Sequence, residues 1–414
     1  MKKILFFFLG CLLLFPLRGQ TRLSDQAEIS LLTSAPYDEE VFTVYGHAAL
    51  RIYDPKQNLD IIFNYGLFDF AKPHFIYRFA KGETDYKLGA ADFAAYVVEY
   101  QMRGSDITEQ VLALRPAEKE RLWNALLENY RPENRTYRYN FFFDNCATRP
   151  AVLIEKTLDG PVDYNEPYPA RTFRELINYC TRNHPWLTFG CDLALGSPTD
   201  RLATPHEMMF LPSYLKAAFA KATVLDRDGT KRKLVKEIRL IGANSEAVEN
   251  DGKETGEGEE GYETAGETEN IWSVVFTPLT VSLLFFGIVF VITYIEWRRR
   301  TYYRIVDGLL FFLAGAGGAI LFFLSFISVH PCTWPNWNLI WLQPLDLVAV
   351  ILFSVKKLKK AAFYYHFINF AALTAMLLGW PWIPQHLNIA FIPLVASVWL
   401  RSGYGVYRKI WKIG

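Results

Sequence analysis

The sequence has few cysteines and lacks the residue spacings by which metal sites are recognised. Five cysteines in 414 residues are too few for a domain held together by disulfides. The chain contains neither Cys-x-x-Cys nor His-x-x-x-His, which are the spacings of many zinc sites. We therefore predict that the protein uses no metal ion and no other cofactor.

The chain also has almost no net charge. Its 44 Lys and Arg residues nearly balance 43 Asp and Glu residues, which gives a formal charge of +1 at pH 7. Domains that bind nucleic acid usually carry a basic excess, so we expect no nucleic-acid partner. The charges are instead separated into a mixed first half, an acidic stretch over 246–269 and basic clusters near the C-terminus. This distribution is typical of a membrane protein with one large soluble domain.

Two segments flank the soluble part of the chain. Residues 1–20 are predicted to be a secretory signal peptide, because Lys2 and Lys3 precede an apolar core too short to span a membrane. Residues 244–270 are predicted to be a flexible linker, because ten acidic residues against one lysine leave too little to bury. The predicted domains are therefore a soluble domain over 21–243, outside the cytoplasm, and a membrane domain over 271–414.

The membrane domain contains five apolar segments of about the 20 residues that a spanning helix needs. They lie near 272–295, 305–329, 337–355, 361–380 and 387–401. Basic residues follow the first, third and fifth segments, and positively charged loops stay in the cytoplasm, so the C-terminus is predicted to be cytoplasmic. Helical spans indicate the inner membrane, since proteins of the outer membrane are normally barrels. Asp346, His366 and Asn369 fall inside these spans, where such residues serve function or helix packing.

Short strand patterns and amphipathic helices occur together in the soluble domain. Runs of β-branched and aromatic residues predict strands over 29–32, 41–53, 59–65 and 137–143. Helical periodicity predicts helices over 116–130, 147–158, 172–180 and 211–220, whereas 86–103 does not decide between strand and helix. We therefore expect an α+β domain.

Cys146 lies between a predicted strand and a predicted helix. Backbone N–H groups and the positive end of a helix dipole favour a thiolate at such a position, which makes the cysteine a candidate nucleophile. The alternative is that Cys146 is a small buried apolar residue, as most cysteines outside disulfides are. Cys180 and Cys191 are close enough in sequence to form a disulfide, which would leave Cys146 as the odd thiol, but sequence alone does not decide this pairing.

His47 and Asn64 lie on two neighbouring predicted strands. Small residues flank His47 and would let another element approach closely. Each residue alone is more commonly structural, the histidine in a strand and the asparagine in a turn. Together with Cys146 they form a candidate nucleophile set, in which the imidazole takes the thiol proton, the amide orients the ring and the thiolate attacks an acyl carbon.

Several further side chains are candidates for substrate contact. Arg149, Arg171 and Arg174 could bind phosphate groups, because a guanidinium matches them with two parallel hydrogen bonds. The alternative for each arginine is a solvated or structural role. Beside the candidate nucleophile, we expect Arg149, Asn145 and Tyr45 to line the substrate site.

The motifs around these residues resemble those of known acyltransferases. A histidine on an early strand and Asn-Cys at a later helix start are similar to the circularly permuted papain-like fold of the lecithin retinol acyltransferase group. More closely, Tyr45-Gly46-His47-Ala48-Ala49, Phe63-Asn64-Tyr65-Gly66 and Asp144-Asn145-Cys146-Ala147-Thr148-Arg149 resemble the Lnb family, the Bacteroides-type lipoprotein N-acyltransferases. The resemblance covers residues 21 to about 240 and the general layout of the membrane part.

The resemblance implies a nucleophilic Cys146 and a basic His47. It also implies transfer of an acyl chain from a phospholipid, or another diacylglyceryl donor, to the α-amine of the lipid-modified N-terminal cysteine of a lipoprotein. The expected partners are the phospholipid donor, the diacylated lipoprotein acceptor and the inner membrane. Two other functions stay open: an envelope cysteine hydrolase that cuts peptidoglycan cross-links or phospholipids, and a membrane-anchored binding protein in which the cysteine is structural.

Overall fold

The computed structural model describes residues 22–37, 43–68, 73–165, 168–242 and 275–411. The predicted signal peptide and the predicted acidic linker lie outside the described residues. The N-terminal part is a mixed domain of strands and helices, and the C-terminal part is helical.

Among the described residues of the N-terminal domain, ten strands form two antiparallel sheets. In chain order they are β1 (Glu28–Ser34), β2 (His47–Asp54), β3 (Leu59–Leu67), β4 (Asp85–Asp92), β5 (Ile107–Leu112), β6 (Thr136–Arg138), β7 (Val162–Asp163), β8 (Thr223–Leu225), β9 (Lys231–Lys233) and β10 (Val235–Ile241). The main sheet has the order β10-β5-β1-β2-β3-β4-β6, and β7, β8 and β9 form the small one. The strand predicted over 41–53 begins only at His47, because Thr43–Tyr45 is a 3₁₀ turn.

The four helices predicted for this domain are present, and others accompany them. In chain order the helices are α1 (Phe75–Lys81), α2 (Phe93–Met102), α3 (Pro116–Tyr130), α4 (Thr148–Thr157), α5 (Phe173–Cys180), α6 (Pro185–Ala194), α7 (Pro205–Met208) and α8 (Pro212–Lys221). The predicted four are α3, α4, α5 and α8, and α3 has the predicted bounds. The undecided stretch 86–103 is a strand followed by a helix, and Asp92 marks the change because its carboxylate accepts hydrogen bonds from the first N–H groups of α2.

Helices cover both faces of the main sheet. Leu50 and Ile52 of β2 point to the face on which α3, α4 and α8 pack, whereas Ala49, the residue before Leu50, points to the opposite face, towards α2. Trp123 of α3 is fully buried on the first face and contacts the Phe63 ring edge-on at 6.1 Å. Truncating such a side chain typically costs about 3–5 kcal/mol of stability. The α+β arrangement predicted from the sequence is confirmed.

The strand predicted over 137–143 is wrong beyond Arg138. Residues 140–144 form a tight turn, in which the Asn140 side-chain oxygen accepts hydrogen bonds from the Phe142 and Phe143 N–H groups. Asparagine favours such turns because its side chain competes with the sheet for backbone donors. Aromatic residues of this run pack in a separate hydrophobic cluster instead of in the sheet, and there Phe142 contacts Phe173 and Phe210.

The C-terminal part contains five helices among its described residues. They are α9 (Pro278–Arg299), α10 (Arg304–Phe322, continued by a π-helical turn to Ile327), α11 (Leu345–Ser354), α12 (Lys359–Leu378) and α13 (Phe391–Ile410). Within residues 275–411, four segments are long and apolar enough to cross a membrane: Pro278–Arg299, Arg304–Ile327, Trp337–Ser354 and Lys356–Leu378. The third segment is less regular than expected, because a 3₁₀ turn at Trp337–Ile340 precedes α11.

Helix α13 differs from the other four in its composition. It is longer than the predicted span over 387–401, and it contains Arg401, which is fully buried. The Arg401 guanidinium pairs with Glu296 of α9 and donates to the Asp307 carboxylate of α10 at 2.6 Å. A buried charge in such a bundle requires partners of this kind, so Arg401 joins three helices.

The two parts of the molecule are joined by hydrogen bonds at one end of the helical bundle. Four amide side chains of the C-terminal part donate to α6 and the residue after it: Asn336 to the Leu193 carbonyl (2.9 Å), Asn338 to the Asp192 carbonyl (3.2 Å), Gln385 to the Leu195 carbonyl (3.0 Å) and Asn388 to the Asp192 carboxylate (2.9 Å). Gly196 lies so close that a Cβ there would be 2.4 Å from the Pro335 oxygen. These contacts fix the N-terminal domain on the bundle.

Candidate active site

His47 and Asn64 meet at one end of the main sheet. His47 begins β2 and Asn64 lies near the end of β3, and these strands are antiparallel neighbours. The His47 Nε2 atom lies 2.6 Å from the Asn64 Oδ1 atom. Because an amide oxygen can only accept, Nε2 carries the proton and the ring is held with Nδ1 available as a base.

Two glycines shape the backbone around this pair. Gly46 has a φ of +74°, and a Cβ there would lie 2.7 Å from the Ser34 carbonyl oxygen. Its close contact with β1 confirms the prediction that small residues beside His47 allow another element to approach. Gly66 has a φ of +102° in a bulge of β3, where an added Cβ would contact the Cys146 Cβ at 3.7 Å. Bulges of this kind occur beside active sites because they redirect the chain.

The loop before α4 brings Cys146 to the same end of the sheet. Asn145 holds this loop: its Oδ1 accepts from the Ala147 and Thr148 N–H groups, and its Nδ2 donates to the Phe141 and Phe210 carbonyls. Asn145 is buried, and its side chain satisfies the helix start in the manner of an N-cap. The predicted helix start at 147 is therefore accurate to one residue, and Pro150 falls in the first turn, where it fits.

The Cys146 thiol and the His47 imidazole interact, and each shifts the pKa of the other. Burial alone would raise the pKa of the Cys146 thiol, but the His47 imidazolium and the N–H groups of Ala48 and Cys146 lower it below its ordinary value. Burial alone would lower the pKa of His47, but the Cys146 sulfur and the Asn64 oxygen raise it. Both shifts favour a thiolate–imidazolium pair, which is the reactive form of a cysteine nucleophile.

The residues expected to bind substrate have other partners. The Arg149 guanidinium makes two hydrogen bonds to Asp144, at 2.6 and 2.8 Å, and lies 3.5 Å from the centre of the Tyr137 ring. The Asn145 side chain is hydrogen-bonded to its own loop and to the Phe210 carbonyl, which fixes the backbone beside Cys146. The Tyr45 hydroxyl lies 3.9 Å from the Cys191 sulfur.

Arg174 has a structural role. It is buried and donates to Asp192 at 3.1 Å and to Asp200 at 2.8 Å, so it braces the segment on which the C-terminal part docks. Arg171 lies over the Tyr179 ring, 5.1 Å from its centre.

The described cysteines outside the candidate site are not cross-linked. Cys180 and Cys191, the pair that could have formed a disulfide, are both thiols. Within the described ranges, no group of three His, Cys, Asp or Glu side chains could hold a metal ion.

A row of aromatic rings leads from Cys146 to the surface. Burial and the Cys146 charge raise the pKa of Tyr139, so this ring lies within electrostatic reach of the thiol. From Tyr139 the rings follow at centroid distances of 4.1 Å to Tyr86, 5.1 Å to Phe68, 5.8 Å to Phe75 and 6.0 Å to Phe79. The sequence analysis missed this row, because its members come from β4, α1 and two loops, and only their abundance in the chain pointed to it.

Two family models match the chain. One, described as the Lnb N-terminal periplasmic domain, matches residues 20–179, and the other, described as the Lnb transmembrane domain, matches residues 268–412. Both models belong to one family and occur here in one chain. The chain is a member of the Lnb family. Searches of curated proteins and of solved structures found no match.

Membership of the Lnb family has consequences for the location of the site. The N-terminal domain of this Lnb protein is periplasmic, and the chain is a multi-pass protein of the inner membrane, as the sequence predicted. The family also fits a membrane protein that modifies lipoproteins. Cys146, His47 and Asn64 therefore lie in a periplasmic domain that is docked on the helical bundle.

Proposed function

We propose that this Lnb protein is a lipoprotein N-acyltransferase with Cys146 as nucleophile, His47 as base and Asn64 as the residue that orients His47. The observation that carries the proposal is the convergence of Cys146 with the His47–Asn64 pair at one end of the main sheet, where the Cys146 thiol and the His47 imidazole shift each other's pKa in the directions that favour a thiolate. The acyl donor would be a phospholipid, and the acceptor would be the α-amine of a diacylated lipoprotein.

The reaction would proceed in two steps through a thioester. The Cys146 thiolate attacks the ester carbonyl of the donor, a C–S bond forms, the ester C–O bond breaks, and His47 gives its proton to the leaving alkoxide. The acceptor amine then attacks the thioester, a C–N bond forms, the C–S bond breaks, and the amine proton passes to His47. Backbone N–H groups of Ala48 and Cys146, which already donate to the sulfur, are suited to stabilise negative charge during both steps.

The aromatic row supports a lipid donor. Its outer end is α1, where the side chains of Ile76, Tyr77 and Phe79 are 83%, 54% and 53% exposed. Such a concentration of exposed apolar residues marks a lipid- or protein-binding surface. Helix α1 also adjoins the membrane domain, since the Val329 N–H group donates to the Lys81 carbonyl at 2.9 Å. An acyl chain could therefore move from the bilayer along apolar rings to Cys146 without entering water.

The finer features of the fold are part of the proposal. The sheet with a histidine strand and a cysteine at a helix start supports a permuted papain-like domain. The ion pairs of Arg401 with Glu296 of α9 and Asp307 of α10 support α13 as a fifth spanning helix. Arg298–Arg300, Lys356–Lys360 and Arg408–Lys409 lie at the opposite end of the bundle from the docked domain, which supports a cytoplasmic C-terminus.

The test is mass spectrometry of the N-terminal peptide of a reporter lipoprotein. Cells that lack the protein are complemented with the natural chain, Cys146→Ala or Cys191→Ala. We expect the N-acyl chain to be lost without the protein and with Cys146→Ala, and to be present with Cys191→Ala. If N-acylation is unchanged in every strain, and redundancy is excluded, the transferase proposal fails. Altered cell-wall peptides or accumulated lysophospholipid would then favour a hydrolase.

A further inference from the structure

The helical bundle contains a cavity at the end opposite to the periplasmic domain. Its volume is about 260 Å³. It is bounded by the start of α10, the end of α11, the first turns of α12 and the end of α13. A space of this size exceeds the roughly 30 Å³ share of a single water molecule several times over, so the cavity has room for a phosphate group.

Five basic residues line the cavity: Arg304, Lys356, Lys359, Arg408 and Lys409. None of the five forms an ion pair with another described residue. Arg401, two turns before Arg408 on the same helix, is in contrast paired with both Glu296 and Asp307. The deeply buried charge of Arg401 is thus neutralised by carboxylates within the bundle, whereas the positive charges around the cavity have no such partner among the described residues. A cluster of this kind favours an anionic ligand.

Two polar groups in the cavity wall lack partners although they are buried. His366 is 1% exposed, and neither of its ring nitrogens has a hydrogen-bond partner among the described residues. The same holds for the Nε atom of Arg408. The His366 ring is fixed by stacking on Phe353 at 4.3 Å. Buried donors of this kind normally have a partner, so their state here indicates a bound group that brings its own acceptors.

We propose that this cavity binds the phosphate group of an anionic membrane lipid. A lipid is favoured over free phosphate because Leu352, Phe353 and Phe363 line the same cavity and the surrounding helices are lipid-facing. Basic pockets between spanning helices on the cytoplasmic side are suited to anionic headgroups. The leaflet follows from the position of the periplasmic domain at the other end of the bundle. This site is distinct from the acyl-donor site at Cys146 and does not depend on it.

The two lysine pairs of one loop provide a matched test. Lys356 and Lys359 line the cavity, whereas Lys357 and Lys360 are exposed nearby and do not. The double variant Lys356→Gln with Lys359→Gln removes two charges from the cavity. The double variant Lys357→Gln with Lys360→Gln removes two charges from the same surface outside it. Thermal melting of both full-length variants shows that they are folded; if the cavity pair is not, Lys359→Gln is compared with Lys360→Gln.

Binding is measured by native mass spectrometry of the full-length protein in detergent, with phosphatidylglycerol, phosphatidylcholine of the same chains, or inorganic phosphate as probes. We expect phosphatidylglycerol to bind best and the cavity pair to weaken its binding roughly thirtyfold, with little change for the matched pair. Equal weakening by both pairs would mean diffuse surface charge and would overturn the proposal. Equal binding of phosphatidylcholine, or displacement of phosphatidylglycerol by millimolar inorganic phosphate, would also overturn it. Neither outcome bears on the role of Cys146.

Discussion

Cys146 and Cys191 are both half-buried thiols of the periplasmic domain, but their surroundings differ. Burial raises the pKa of both. At Cys146 the adjacent imidazolium of His47 and two backbone N–H groups outweigh burial, so the pKa falls. At Cys191 the Tyr45 hydroxyl is the main group that opposes burial, the Asp192 carboxylate acts in the same direction as burial, and the pKa rises. Neighbouring charge and hydrogen-bond donors, rather than exposure, therefore distinguish the proposed nucleophile from the other thiol.

The largest difference between the two cysteines is expected when each is replaced by serine and the rate of acyl transfer is measured. We expect Cys146→Ser to lower the rate of acyl transfer by about 10⁴-fold or more, because removal of a covalent nucleophile has effects of this order. Cys191→Ser should leave the rate within about twofold, as expected of a site outside the machinery. The measurement is the rate at which purified protein acquires a hydroxylamine-sensitive acyl chain from phospholipid. Equal losses in both variants would remove the distinction.

Loss of the imidazole should have the next largest effect. His47→Gln keeps a polar side chain but cannot take the thiol proton, so we expect acylation of Cys146 to slow by about 10²–10⁴-fold, the usual contribution of a general base. His206→Gln is the matched control. His206 is an exposed histidine that pairs with Glu155, and it has no part in the proposed reaction. The same acylation assay compares them. A normal rate for His47→Gln would show that Cys146 needs no base.

The comparison also shows how much could be predicted from the sequence. Both halves of the molecule, the α+β class of the first and the bounds of α3 were predictable, because apolar periodicity and helix boundaries are local signals. Residue type and position were enough to propose Cys146 and His47 as a pair, and the resemblance to known motifs strengthened that prediction. Their approach itself could not be predicted from local signals, since it depends on the pairing of β2 with β3 and on the loop before α4. Periodicity alone treats Cys146 and Cys191 alike.

The errors had a common physical origin. The run Tyr137–Phe143 was predicted as strand because its aromatic residues suit a sheet, but Asn140 redirects the backbone into a turn and the rings pack elsewhere. Substrate contact by Arg149 and Asn145 stays a prediction, but the sequence did not indicate that each has a hydrogen-bond partner within five residues in the chain. Side-chain hydrogen bonds of this kind depend on tertiary geometry, which residue type does not reveal.

The route by which a lipid reaches Cys146 can be tested separately from the route by which a small water-soluble reagent reaches it. The double variant Ile76→Asp with Phe79→Asp places charges on the exposed apolar surface of α1, which should weaken its contact with the bilayer. We expect acylation from phospholipid vesicles to fall about tenfold, in line with a loss of one to two kcal/mol of apolar contact. Alkylation of Cys146 by iodoacetamide, a small water-soluble reagent, should be unchanged. A parallel fall in both rates would indicate a damaged site instead.

The smallest effect is expected in the pH dependence of thiol alkylation. Because the folded-state pKa of Cys146 is lowered, its thiolate should persist below the usual thiol pKa of about 8.5 and be lost only as the pH falls through the lowered value. Because the pKa of Cys191 is raised, its thiolate should form only above the usual value. Iodoacetamide rates of the two cysteine peptides, read by mass spectrometry across pH, give both midpoints in one sample. His47→Gln should move the Cys146 midpoint upward and leave that of Cys191 in place, and coincident midpoints in the natural protein would refute the thiolate–imidazolium pair.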